Sequence, residues 1–345
     1  MHMADALISP AVGGTMWMAM AGVAAYASGK VKHDIDERKI PLMGVLGAFV
    51  FAAQMINFTI PGTGSSGHIC GALLLAILLG PHAAFLTMIS ILSVQALFFA
   101  DGGLLALGAN IINMGFFGCY IGYPLIYKQL VGDDPSRGRL FFGAVAASVI
   151  GLQFGAFGVV METFFSGITE LPFTTFVLLM QPIHLAIGFF EGLITATVVL
   201  FILKESPEII KKAAMNQPIG TIAIKRITVA LLFGTLVTAG ALSWFASANP
   251  DGLEWSVGQI IGEEELKAPE GIHNFFTEIQ EKIVIMPDYN FKHDEQSSKD
   301  ESADNSKPAW PAVDTGTSIA GILGSILTLG IVFSIGKGFQ YLSKS

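Results

Sequence analysis

Of 345 residues, 52% are hydrophobic and only 13% charged, with a formal net charge of −8. So few charges, against roughly 25% in an average soluble domain, argue against an ordinary soluble enzyme, and nothing in the acidic balance suggests a nucleic-acid partner. Apolar runs of about twenty residues without strict polar/apolar alternation exclude an outer-membrane barrel and predict an all-α integral membrane protein.

The chain opens MHMADALISP, and its first basic residue is Lys30, behind the first apolar stretch. A cleaved secretory signal needs its basic residues in front, so no such signal is expected. Met1 is expected to stay, because methionine aminopeptidase removes Met only before small residues and His2 is large. Apolar spans follow at 10–28, 41–58, 66–80, 82–99, 104–127, 139–163, 173–203, 227–247 and 317–336. The stretch from 68 to 99 reads as one long helix or as two broken at Gly80-Pro81, and basic residues decide it. With the break, Lys30 to Lys39, Lys128 to Arg139, Lys204 to Arg226 and Lys337 to Lys344 all fall on one side. The short loops 59–65, 100–103 and 164–172 opposite hold no Lys or Arg. Positive residues stay inside, so nine helices are expected, with the N-terminus outside and the C-terminus cytoplasmic.

Three parts are expected: a seven-helix body over 1–203, a basic cytoplasmic linker over 204–226, and a two-helix unit over 227–345. Between its two helices, the outer segment 248–316 carries fifteen Asp or Glu against five Lys. Its stretch from Tyr289 to Pro308 has almost no aliphatic residue and is expected to be disordered. Cys70 and Cys119 lie in apolar spans without CxxC spacing and read as buried thiols. His184 and Glu191, seven apart in one span, share a helix face, and ionisable groups at that depth are functional candidates.

The opening residues have chemistry of their own. A free Met-His terminus offers the Met1 amine, the His2 backbone amide and His2 Nδ1 as three nitrogens in a row. Fused chelate rings can hold a divalent ion in their plane, and planar nitrogen ligation suits Ni(II) or Cu(II). One in-plane position stays open. His68 follows a Gly/Ser-rich loop on the same outer side as Met1 and can close it. No thioether is needed, so the Met3 side chain has no expected role. Asp101, Asn110 and, more weakly, Gln95 lie near the outer surface. Each can accept the second N–H of an imidazole, although Asp101 can equally cap a helix.

MHMADALISPAVGG, GTGSSGHICGALLLAILLGP and VQALFFADGGLLALGANIINMG resemble the signatures of the CbiM/NikM family. These are the substrate-binding (S) components of energy-coupling-factor (ECF) transporters for cobalt and nickel. NPDGLEWS resembles the motif of the small CbiN/NikN partner, a two-helix protein with an outer loop. The resemblance implies an S component over roughly 1–205 fused to a CbiN/NikN-like unit in a prokaryotic cell membrane. It implies metal ligation by Met1, His2 and His68, with Ni2+ or alternatively Co2+ as transported ligand and no resident cofactor. It also implies a transmembrane coupling (T) subunit and two ABC-type ATPase subunits as partners, beside the membrane lipid. The chain itself has no GxxxxGK[ST] loop, so ATP has to be hydrolysed elsewhere. A self-sufficient carrier or channel is the alternative within transport. An intramembrane metalloenzyme fits least, because a catalytic metal keeps an open position.

Overall fold

The computed structural model describes residues 1–34, 39–132, 136–215, 217, 220, 224–263, 266, 268–269, 271–291 and 310–344. They are mostly helical. α1 (Pro10–Asp34) and α2 (Lys39–Gln54) lead into a hairpin of β1 (Phe58–Ile60) and β2 (Ser65–Gly67), in which Phe58 pairs with Gly67 and Ile60 with Ser65. α3 (Ala72–Leu79) and α4 (Pro81–Phe99) follow. α5 (Leu107–Ile111) widens into a π-helical stretch, Ile112–Tyr127, and closes as α6 (Lys128–Val131). α7 (Arg137–Ser166) and α8 (Phe173–Glu205) pack along each other, and the short α9 (Pro207–Ala214) leads toward α10 (Lys225–Gly240). α11 (Gly252–Ile261), α12 (Ile272–Ile283) and α13 (Thr315–Lys344) complete the described helices.

Among the described residues four helices are long and apolar enough to cross a membrane: α4, α7, α8 and Thr315–Tyr341 of α13. At 1.5 Å per residue a 30-residue helix such as α7 reaches about 45 Å, enough for a hydrocarbon core of about 30 Å. The expected span 66–80 is different. Its first residues form β2 and a turn, and only the eight residues of α3 are helical, about 12 Å. Small residues explain this: GTGSSGHICG offers little to pack as a helix, and Gly71 adopts φ 80, which other residues rarely accept. α3 therefore does not face lipid. All eight of its residues are buried in the body. The break at Gly80-Pro81 is where the basic residues put it, with Gly80 ending α3 and Pro81 opening α4, where a missing N–H costs nothing.

The outer segment also departs from expectation. Asp251 caps α11 by accepting the N–H groups of Leu253 and Glu254, while the Glu254 carboxylate accepts the Asp251 N–H. α11 and α12 lie against β2 and the end of α4. Ser66 donates its N–H to Pro250 O at 2.8 Å, and Gln280 Nε2 donates to Ala96 O at 2.9 Å and Gly102 O at 2.8 Å. The Ile285 and Met286 N–H groups both reach Phe98 O. The part expected to be disordered lies, over 292–309, outside the described residues, as does part of the 204–226 linker.

Candidate metal centre

The first eight residues are a buried plug. Met1, Met3, Asp5, Leu7 and Ile8 are all buried, Met3 and Ile8 completely. Side-chain and backbone groups from distant parts of the chain hold them. Asn110 brackets Met3, accepting its N–H at 2.8 Å and donating to its C=O at 3.1 Å. Gly103 N–H reaches the same C=O at 2.9 Å, and a side chain at residue 103 would collide with the Asp5 carboxylate. Ala106 N–H bonds Asp5 Oδ1, and His273 Nε2 of α12 donates to Ile8 O.

The plug delivers the terminus to His68. The His2 and His68 rings stack with centroids 5.1 Å apart and planes 21° from parallel. The Met1 amine sits 2.9 Å from Asp251 Oδ2, an ion pair with both side chains largely buried. Met1, His2 and His68, three positions spread over 68 residues, thus share one place in the fold.

Hydrogen bonds fix the protons on both rings. Cys70 O can only accept, so Gln54 Nε2 donates to it at 2.6 Å, and Gln54 Oε1 accepts from Gln95 Nε2 at 2.8 Å. Gln95 Oε1 then remains to accept from His2 Nε2–H at 3.2 Å. A neutral His2 ring consequently carries its lone pair on Nδ1, the nitrogen that a chelate through the terminus requires. His68 has the opposite arrangement. Its Nδ1–H donates to Ile69 O at 3.0 Å, leaving Nε2 bare.

Charge is arranged to keep both rings neutral. Burial, then the Met1 ammonium, pushes the His2 imidazole down to about 3. Burial, the same ammonium and His2 push His68 down to about 4. Burial would raise the Asp251 carboxyl, but the Met1 ammonium and the Glu254 N–H outweigh it and hold it below the usual carboxylate range. Asp101 Oδ1 lies 3.2 Å from His2 Nδ1, and Tyr289 O–H donates to Asp101 Oδ2. Burial raises this carboxyl, while the Tyr289 hydrogen bond opposes the rise.

Gln95 and Asp101 flank His2, one at each ring nitrogen: Gln95 accepts from Nε2–H, while Asp101 faces the bare Nδ1 and not the second N–H. Asn110 does neither: it grips the Met3 backbone and touches neither ring. Gln54, Asp251 and Tyr289 were not anticipated. A polar residue at the outer end of a span was the only signal for Gln54, and the PDGLE motif the only one for Asp251. Above the rings lies a cavity of about 590 Å³, lined by His2, His68, Asp101, Asp251, Glu254 and Tyr289 among others. Among the described residues no group of three or more His, Cys, Asp or Glu could hold a metal ion.

Of the other titratable residues, His184 borders a small cavity together with Met1, His68 and Asp251, and its Nδ1 donates to Met180 O; Glu162 accepts from Asn113 Nδ2. Both cysteines are buried and unpaired.

Known proteins match both parts of the chain. The family described as "Cobalt uptake substrate-specific transmembrane region" matches residues 2–209, and the PDGLE domain matches residues 225–340. The chain is 30% identical over 343 residues to the putative fused nickel transport protein NikMN of Archaeoglobus fulgidus, covering 97% of this chain and 98% of that one. It is 32% identical to the probable fused nickel transport protein LarMN of Lactiplantibacillus plantarum, over 80% of this chain and 86% of that one. A crystal structure of a truncated transition metal transporter superposes with a TM-score of 0.53 at 32% identity, covering 59% of this chain and 99% of that chain.

Proposed function

We propose, from the premise that the chain belongs to the CbiM family of cobalt-uptake substrate-specific transmembrane proteins and carries a PDGLE domain behind it, that it is the metal-capturing subunit of an ATP-driven importer of the ECF type. Its cargo is Ni2+ or Co2+. The family description speaks of cobalt, while the fused relatives that match it along most of their length are named for nickel. Planar nitrogen ligation favours nickel.

The observation that carries this reading is the convergence of the Met1 amine, His2 Nδ1 and the His68 ring beneath one outer cavity. Four nitrogens, counting the His2 amide, make a closed planar set that grips a divalent ion without leaving a position for a reacting water. That suits a carrier of metal and not an enzyme. In the structure Asp251 holds the amine and Asp101 faces Nδ1, so a metal ion has to take both nitrogens from carboxylates and displace the protons of the amine and the His2 amide. Exchange of this kind favours capture at neutral pH and release in acid.

The same reading organises the rest of the chain. Residues 1–203 form the seven-helix metal-binding body, 204–226 a cytoplasmic linker, and 227–345 the two-helix unit whose outer segment roofs the site. Fourteen Lys and Arg facing the cytoplasm support an outer N-terminus and an inner C-terminus. A T subunit and two ABC-type ATPases supply the energy.

Uptake of 63Ni2+ by cells expressing the chain tests this. Accumulation is expected only when the T and ATPase subunits are co-expressed, and to collapse when the ATPases carry a Walker-lysine substitution. Equal uptake by the chain alone would overturn the ECF assignment in favour of a self-sufficient carrier.

A further inference from the structure

α8 carries a buried acid that metal ligation leaves unused. Glu191 is 1% exposed and lies well inside the span Phe173–Glu205. A carboxylate at such depth is costly unless donors match its oxygens. Both are matched, and by backbone. Oε2 accepts the Cys70 N–H at 2.9 Å and Oε1 accepts the Gly71 N–H at 3.1 Å. These are unpaired amides ahead of α3, where the helix presents its positive end.

They also lie two and three residues beyond His68. One turn earlier on the same face of α8, Ile187 closes over Gly67, where any Cβ would come within 2.4 Å of Ile187 Cγ1. α8 therefore grips the loop on both sides of His68. Beyond its stacking on His2, the imidazole is held by one local hydrogen bond, Nδ1–H to the adjoining Ile69 C=O. Where the ring points is decided by the backbone, and that backbone is fixed by α8 together with Gln54 at Cys70 O.

We propose that Glu191 is a positioning residue for the transported metal ion, presenting His68 to it by clamping the Cys70 and Gly71 amides. The proposal rests on the reading of His68 as the fourth nitrogen ligand. A buried carboxylate on a membrane helix thereby takes part in cargo binding without touching the cargo.

A double-mutant cycle tests it on the full chain with its native Met1 terminus, with Ni2+ affinity read by chelator competition. His68→Ala is expected to weaken binding, and Glu191→Ala to weaken it by about 10- to 100-fold, as loss of a ligand-orienting partner does. If Glu191 acts through His68, the double variant binds as His68→Ala does, within about twofold, and the visible d–d band of Glu191→Ala shifts to that of His68→Ala. Glu191→Gln keeps one acceptor oxygen and should fall between wild type and Glu191→Ala; it also serves if the Ala variant does not fold. Wild-type affinity in Glu191→Gln and Glu191→Ala, or losses that add in the double variant, would overturn the proposal. Should His68→Ala itself bind Ni2+ normally, the underlying site assignment fails instead, a result the cycle reads separately.

Discussion

A short tag placed ahead of Met1 is expected to abolish metal uptake, although it changes no residue. The extension turns the terminal amine into a peptide nitrogen, which has to lose an amide proton to bind and is a far poorer ligand at neutral pH. It also destroys the Met1–Asp251 ion pair, leaving Asp251 buried against an uncharged amide. Breaking one side of such a pair costs about 3–5 kcal/mol where both partners are fully buried, and somewhat less here with Asp251 15% exposed. The plug has no room for the added residues, because Met3 is fixed by Asn110 and Gly103 just behind. Nickel affinity should fall by at least about 1,000-fold, roughly 4 kcal/mol. A tag at the C-terminus should leave uptake unchanged, and 63Ni2+ accumulation by the two tagged forms compares them directly.

One Ala inserted between Met1 and His2 is expected to separate binding from transport. The imidazole then stands at position 3, where amine, two amides and Nδ1 can fill all four planar positions from the terminus alone. Nickel binding should survive within about tenfold. His68 is displaced from the ion, and the register against Asn110 moves by one residue. Either Met3 keeps its bonds and the amine is pushed past Asp251, or the whole plug shifts out of its buried seat. Uptake should therefore drop to background. Equilibrium dialysis beside a transport assay reads both quantities, and uptake at the native rate would contradict the assigned roles of His2 and His68.

The central pairing was legible because it depends on chain position and topology. Met1 and His2 open the sequence, the Lys and Arg distribution led to the expectation of His68 on their side, and the two rings do stack. Apolar runs likewise announced α4, α7, α8 and α13. The 66–80 span misled because its apolar half, Ala72–Leu79, is apolar for another reason: it is enclosed by protein on every side. Periodicity does not distinguish lipid from core. The outer segment gave no sign of its part in the site: Asp251 and Tyr289 are drawn onto it from 250 and 188 residues away. No local pattern encodes contacts at such separation. Met3 was read as dispensable because no thioether is required, but it is completely buried. Met3→Ala removes core volume at the base of the plug, a change of the kind that costs about 2–5 kcal/mol.

Isothermal titration with Ni2+ of the full chain purified with an unmodified Met1, repeated in buffers of differing ionisation enthalpy, tests the site most directly. The imidazoles, held down to about 3 and about 4, have no proton to give at neutral pH. The protons must come from the amine and the His2 amide, so about two should leave per ion bound, and affinity should fall as pH is lowered. One Ni2+ per chain, about two protons released and a diamagnetic complex with a visible d–d band are the predicted result. Binding without proton release, or a paramagnetic complex with the pale colour of oxygen ligation, would contradict the site.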